Sequence, residues 1–545
     1  MKPVLRPIRS LTVVLAAAAL AAAAGPLGAA DSDQLPKPDR MGVINTGPYD
    51  YGVMGPPATP AIVAAALQAV TTPLPKGPFQ ATWASLQANY HTPSWFADMK
   101  FGIFMHWGLY SVAAHGNEWY EKHMYANDAE WHAEHFGPQE KFGYKDLIPL
   151  FTAAKWDPDA WAALFKKAGA QIIMPTAEHH DNFALWDSDV TPFNAVKMGP
   201  HRNLIGDLAA AVRKQGMKFA VSNHGVENFT FVNPTPELRA RLEAAHADLY
   251  DPAWANFYHV ADRSDAAMTA FLTDWVNRNV ELINKIQPDM LWFDNGANLR
   301  LLDPLKLYIA AYYYNSAWQW GKEVTLGTKY VAYAPSNDDT KQIGSVLDFE
   351  KVGTRSPAHI RPGPWMVDDP IGGNSWGYVD GLRLNSASSI IAKLIDTCSK
   401  GGLFMLNISP MADGVIPDDQ QAILLHIGAW LDVNGDAIYG TRPWTSYLEG
   451  ATGRGALNYH FTTKGNTLYA IASTWPSGDA VIKSLAKGAV PGQVTKVELL
   501  GPAASQQSSL DFTQDDQGLH VKLPADHVKS DAYAFRITGL QLSPN

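Results

Sequence analysis

From about Ser94 onward, short apolar runs alternate with longer amphipathic stretches, the texture of repeated βα units. Four of the runs end alike. Residues 101–105 lead into His106-Trp107-Gly108, and 172–175 into Thr176-Ala177-Glu178-His179-His180-Asp181. Residues 218–221 lead into Ser222-Asn223-His224, and 290–293 into Asp294-Asn295-Gly296. A continuously apolar strand is what a parallel sheet covered on both faces requires. An ionisable residue at its C-terminal end is where a barrel of the TIM type carries its chemistry. Between the runs, 159–168 and 268–286 keep apolar residues at helical spacing. The pattern predicts an α/β fold, a (β/α)8-like TIM-type barrel over 91–444.

The texture changes again near 430–444. Short runs at 457–461, 467–472, 494–500, 519–523 and 532–537 are punctuated by Gly, Asn, Asp and Pro. They predict a C-terminal all-β sandwich over 445–545 with no site of its own. Residues 31–90, rich in Pro, Gly and Ala, read as an extended arm with one helix near 62–70. Residues 1–30 read as a signal peptide. Lys2, Arg6 and Arg9 give a basic start, 11–24 are apolar but too short and Ala-rich to span a membrane, and Gly28-Ala29-Ala30 offers a cleavage site. The expectation is a periplasmic or secreted protein.

Composition narrows the function classes. Hydrophobic residues at 46% and charged residues at 18% belong to a globular chain. The net charge is −10, and loss of the first 30 residues makes it three more negative. Such a balance argues against nucleic acid or an anionic membrane as partner. The 18 Trp and 21 Tyr serve cores first, but their faces also suit the C–H faces of sugars. The single cysteine, Cys398, excludes an internal disulfide and reads as a buried structural thiol. No metal or other cofactor is expected. His179-His180-Asp181 is the one cluster that invites a metal, but strand neighbours point to opposite faces and rarely share an ion.

Taken together, several motifs resemble glycoside hydrolase family 29, the α-L-fucosidases, from about Trp95 to Trp444. They are Phe-Gly-Ile-Phe-Met-His-Trp-Gly-Leu-Tyr-Ser-Val (101–112), Glu-Trp-Tyr (118–120), His-His-Asp-Asn-Phe-Ala-Leu-Trp-Asp-Ser (179–188) and Leu-Trp-Phe-Asp (291–294). Ser-Trp-Gly-Tyr (375–378), the segment 399–417 with Ser-Lys-Gly-Gly, Leu-Asn-Ile-Ser-Pro and Asp-Gly-Val-Ile-Pro, and Asn-Gly-Asp-Ala-Ile-Tyr-Gly-Thr-Arg-Pro-Trp (434–444) follow in order. The resemblance implies a barrel with a C-terminal β-sandwich and a retaining exo-glycosidase acting on fucosylated oligosaccharides or glycoconjugates. Retention needs one ionised carboxyl to attack the anomeric carbon and one protonated carboxyl to serve the leaving oxygen.

By resemblance, Asp294 is the nucleophile; read alone, it could be a turn or helix-capping aspartate before Asn295-Gly296. The acid/base lies at a variable place between Asp294 and Ser375, where the only glutamates are Glu323 and Glu350. Glu350, in Asp348-Phe349-Glu350-Lys351, is preferred; its plain alternative is a loop glutamate paired with Lys351. Asp348, Asp368 and Asp369 are weaker candidates. His106, Glu118, Trp119, His179, His180 and Trp292 match sugar-binding positions. Three departures stand out. Glu178 replaces a lysine, Asn182 replaces a glycine, and Ser222-Asn223-His224 replaces an aromatic segment, so that Asn223 or His224 is expected to meet the sugar. The basic residue after the nucleophile has no clear match, and Lys329 is the nearest choice. Alternatives stay open: the same mechanism on an α-L-galactoside, an inactive carbohydrate-binding protein on this scaffold, or a structural envelope protein.

Overall fold

The apolar runs become strands in a computed structural model of the chain, which describes residues 58–329, 332–335, 342–453, 455–501 and 508–542. The leader-type segment and the start of the arm lie outside these residues. Eight parallel strands close a barrel in sequence order: β1 Phe101–Met105, β2 Ile172–Glu178, β3 Lys218–Asn223, β4 Met290–Phe293, β5 Thr325–Lys329, β6 Val346–Asp348, β7 Trp365–Pro370 and β8 Leu403–Ile408. β8 pairs with β1 to complete the ring. The TIM-type barrel inferred from strand endings is therefore the observed architecture.

Alternation along each strand divides two cores. Phe104, Ile172, Met174, Met290, Trp292, Met366 and Met405 fill the barrel interior. Ile103, Ile173, Leu291 and Phe293 face the surrounding helices. Two glycines make room inside. A Cβ on Gly102 would lie 2.4 Å from Met405 Sδ, and one on Gly327 would lie 2.7 Å from the Trp292 ring. Trp292 can lie across the barrel only because β5 offers no side chain there.

The helix spanning Asp265–Ile286 is as periodic as expected, capped by Ser264 Oγ accepting from Ala267 N–H. The arm departs from the expectation. It carries two helices, Pro60–Ala69 and Trp83–Asn89, and buries Ile62, Val63, Ala66 and Leu86 in the main core. The second helix is short and carries little apolar periodicity, so it left no pattern to read.

Antiparallel strands follow: β9 Arg442–Gly450, β10 Asn458–Lys464, β11 Thr467–Ala472, β12 Ala480–Ile482, β13 Gly492–Leu499, β14 Ser508–Ser509, β15 Phe512–Asp515, β16 Gly518–Val521 and β17 Tyr533–Leu540. They form a six-stranded sheet, β14-β13-β17-β11-β10-β9, and a three-stranded sheet, β12-β16-β15, around one shared core. Among the described residues no helix is long and apolar enough to cross a membrane.

Candidate active site

The C-terminal ends of β1 to β6 converge on Asp294. Its 3₁₀ turn, Asn295–Asn298, begins directly after it, yet its side chain caps nothing. Instead its carboxylate points inward. His224 Nδ1 lies 3.1 Å from Oδ2, His180 Nε2 lies 3.6 Å from Oδ2, and Lys329 Nζ lies 3.1 Å from Oδ1. A carboxylate only accepts, so His224 Nδ1 carries the hydrogen and its Nε2 faces Ser222 Oγ at 2.9 Å. Burial alone would raise the Asp294 pKa. The Lys329 ammonium and the His224 and His180 imidazoles outweigh it and hold the group well below the usual carboxylate range. The Lys329 charge is reinforced in turn: burial opposes it, but Asp294, Asp368 and Glu350 keep the amine protonated.

The same ammonium reaches a second carboxyl, Glu350 Oε2, at 3.9 Å. Glu350 follows β6 and is half-buried. Arg355 Nη1 donates to its Oε2 at 3.1 Å, and Lys351 is 4.0 Å from Oε1. The other candidates stand elsewhere. Glu323 precedes β5 at the opposite end of the barrel, where its carboxylate accepts from Ser94. Asp369 is held by Lys393 at 2.9 and 3.0 Å. Asp348 is sealed in the barrel, accepting from Trp292 Nε1 at 2.8 Å and from Asp368 N–H at 3.1 Å. Burial raises its pKa to about 7 and raises that of Asp368 further, because the two carboxyls are neighbours.

Imidazoles surround the pair. His179 and His180 lie just past the end of β2, with ring centres 4.3 Å apart. Both enter the site, because the strand alternation expected to separate them stops at Glu178. Asp181 does not follow them; it accepts from Tyr144 and from Phe183 N–H. His106 at the end of β1 donates from Nδ1 to Asn407 Oδ1 at 2.7 Å, and Asn407 Nδ2 donates to Trp376 O, which fixes the amide's orientation. His106 Nε2 is thus left as an acceptor. Burial lowers the pKa of all four histidines, and that of His180 falls to about 3, so they act as neutral rings. Trp292 lies beneath them, Trp119 stands against His180, and Trp376 faces His106. Glu118 Oε2 accepts from Trp376 N–H at 2.9 Å and from Ser375 at 3.3 Å. A cavity of about 370 Å³ opens beside Glu118, Trp376 and Lys351.

Asn223 is not brought to this cluster. It is the last residue of β3, and alternation turns its side chain toward the helix layer. There it meets Glu178 at 3.5 Å and accepts from Trp275 Nε1 and Gly225 N–H. Glu178 pairs with buried Arg278 at 3.2 Å.

Three members were not singled out from the sequence. Asn407 and Trp376 sit inside motifs that were recognised. Glu227, in the buried 3₁₀ turn after His224, accepts from Gly296 N–H at 2.7 Å with Oε1 and sets Oε2 3.6 Å from His180 Nδ1. Burial and nearby Asp294 raise its pKa to about 8. An acidic residue within the apolar run Gly225-Val226-Glu227-Asn228-Phe229 was the available signal.

Two trios, His106–His179–His224 and His180–His224–Asp294, each bring ligand-type atoms within 4.8 Å. Their fit to a metal is poor. His106 and His224 already spend one nitrogen on Asn407 and Asp294, and Lys329 supplies positive charge where a cation would sit.

The family model described as Alpha-L-fucosidase matches residues 66–436, and one described as Alpha-L-fucosidase C-terminal domain matches 454–538. The chain belongs to the α-L-fucosidase family, glycoside hydrolase family 29. It is a glycoside hydrolase. Human tissue alpha-L-fucosidase is 27% identical over 513 residues, covering 90% of this chain and 99% of the relative. The rat tissue enzyme is 29% identical, covering 81% and 88%. The crystal structure of Thermotoga maritima alpha-fucosidase shares 31% identity and a TM-score of 0.65, covering 84% of this chain and all of that one. A further structure of that protein, in complex with fucose, is 30% identical with the same TM-score and coverage.

Proposed function

We propose that the protein is a retaining α-L-fucosidase that releases terminal α-L-fucose through a covalent fucosyl-Asp294 intermediate. The observation that carries this reading is the ammonium of Lys329 standing between Asp294 and Glu350. It favours an ionised Asp294 for attack, and a second carboxyl lies within reach of the same ammonium. In the first step an Asp294 oxygen bonds to the anomeric carbon. The bond to the leaving oxygen breaks, and Glu350 gives that oxygen its proton. In the second step Glu350 takes a proton from water, the water oxygen bonds to the anomeric carbon, and Asp294 leaves as a carboxylate. Before donating, Glu350 must part from Arg355, an exposed loop contact worth within about 1 kcal/mol.

Around the ring, His106, His179 and His180 offer neutral donors and acceptors for vicinal hydroxyls, and Trp376 and Trp119 offer faces for its apolar side. The relatives are alpha-fucosidases, one of them in complex with fucose, which supports this choice of sugar. The leader-type residues 1–30 support a site of action outside the cytoplasm, testable by sequencing the N-terminus of the mature protein.

The test is an aryl α-L-fucoside. Turnover should yield α-fucose as the first product by NMR. Asp294→Ala should abolish turnover, and a 2-fluoro-fucosyl fluoride should add one 2-deoxy-2-fluorofucosyl mass to the peptide carrying Asp294. Glu350→Ala should recover rate with azide. A first-formed β anomer, or unchanged cleavage of natural glycans by Glu350→Ala, would overturn the assignment.

A further inference from the structure

At the opposite end of the barrel, away from Asp294, a cavity of about 850 Å³ lies where the starts of β1, β7 and β8 meet β9 and the segment 92–97. Its size suits a small-molecule ligand. Lys100, Arg361 and Arg442 line it together with Phe96, Pro362 and Trp444, and none of its described lining residues is acidic. In a chain with 43 basic and 53 acidic residues, that is a local reversal of charge.

Lys100 is the decisive residue. It is 1% exposed. Among the described residues its ammonium makes no hydrogen bond and no ion pair, in a place where burial disfavours the charge. Its backbone is also held at φ 60°, ψ −32°, a region a side-chain-bearing residue rarely occupies. The carbonyl of Lys100 is pinned by Phe404 N–H and the Cys398 thiol, so the residue is fixed at the cavity wall. Arg442 adds charge from one side, with Asp98 as its partner at 2.8 Å, and Arg361 from another, packed over Phe349. Burial, and secondarily Arg442, pull the Lys100 pKa down to about 8 against the raising pull of Cys398 and Asp98, so an arriving anion would meet an ammonium at neutral pH and strengthen it.

We infer that this cavity is a second binding site, taking a ring-sized organic acid whose carboxylate pairs with Lys100 and whose body lies against Trp444 and Pro362. An acidic sugar unit has this chemistry, as does a smaller free carboxylic acid for the head alone.

The experiment is isothermal titration of the purified full-length chain, with excess L-fucose filling the site above Asp294. The probes are D-glucuronate, acetate and D-glucose. D-Glucuronate should bind one-to-one, acetate at least tenfold more weakly, and D-glucose should give no heat. Lys100→Met, which replaces the ammonium by an apolar group in a buried place, should lose at least tenfold in D-glucuronate affinity and keep its rate on an aryl α-L-fucoside. Arg361→Gln, at the rim, should lose severalfold and fold normally. Equal binding by D-glucose, equal binding by acetate, or wild-type affinity in both variants would overturn the inference.

Discussion

Lys329 Nζ stands 3.1 Å from Asp294 Oδ1 and 3.9 Å from Glu350 Oε2, so one cation from β5 serves carboxyls that follow β4 and β6. Removing it leaves Asp294 buried with only neutral imidazoles to favour its charge. Lys329→Met should lower kcat/KM by about 10²–10³-fold, the size seen when one preorganised charge partner is lost. The Asp294 pKa would rise, so the acid limb of the kcat/KM profile should move to higher pH. A profile of the variant that falls in parallel to the wild type would contradict this account.

Glu227 makes a different prediction. Its pKa is about 8 in the folded protein against an ordinary 4.5. A carboxyl raised on folding favours the native state below its unfolded pKa and loses that contribution as pH rises through the folded value. Stability should therefore decline between about pH 4.5 and pH 8 and level off above. Glu227→Gln keeps an oxygen for Gly296 N–H but cannot ionise. Chemical denaturation across this range should show the variant with a flatter stability profile than the wild type, and relatively more stable at pH 8.

The Asn407 amide sets the ring of His106. Asn407→Leu removes the acceptor for Nδ1–H and frees the imidazole to turn. One lost hydrogen bond of about 1–1.5 kcal/mol corresponds to roughly a tenfold rise in KM for an aryl fucoside. Steady-state kinetics should place the effect mainly in KM. Thermal unfolding should show whether the fold is kept.

Arg278→Met strands Glu178, which is 2% exposed, in the helix layer. Breaking such a buried pair from one side costs about 3–5 kcal/mol. The double variant Arg278→Met with Glu178→Met removes both charges and should recover much of that loss in urea denaturation. A double variant no better than the single one would show that the pair is not the source.

The first four strands were legible because each holds a short apolar run that leads into an ionisable residue. The next strands were not, for reasons seated in the barrel itself. β5 reads Thr-Leu-Gly-Thr-Lys because Trp292 needs the space at Gly327 and Asp294 needs the charge at Lys329. β6 has three residues, and β7 carries Asp368 and Asp369, so neither resembles a buried strand. The site followed the same logic. Ionisable residues at strand ends announced His106, His179, His180 and Asp294. The fate of Asn223 against His224 turned on one residue of strand length, which periodicity does not resolve. Glu227 lay in a turn whose direction only the packed structure defines.

The bond between Asn407 and His106 also spans the barrel's seam, joining the last strand to the first. A ribosome that has delivered both carboxyls has not yet delivered the amide that sets the first histidine. Nascent chains halted before residue 407 would hold Asp294 and Glu350 but an unaligned His106. The proposed sugar site is therefore complete only late in synthesis, when the circle closes.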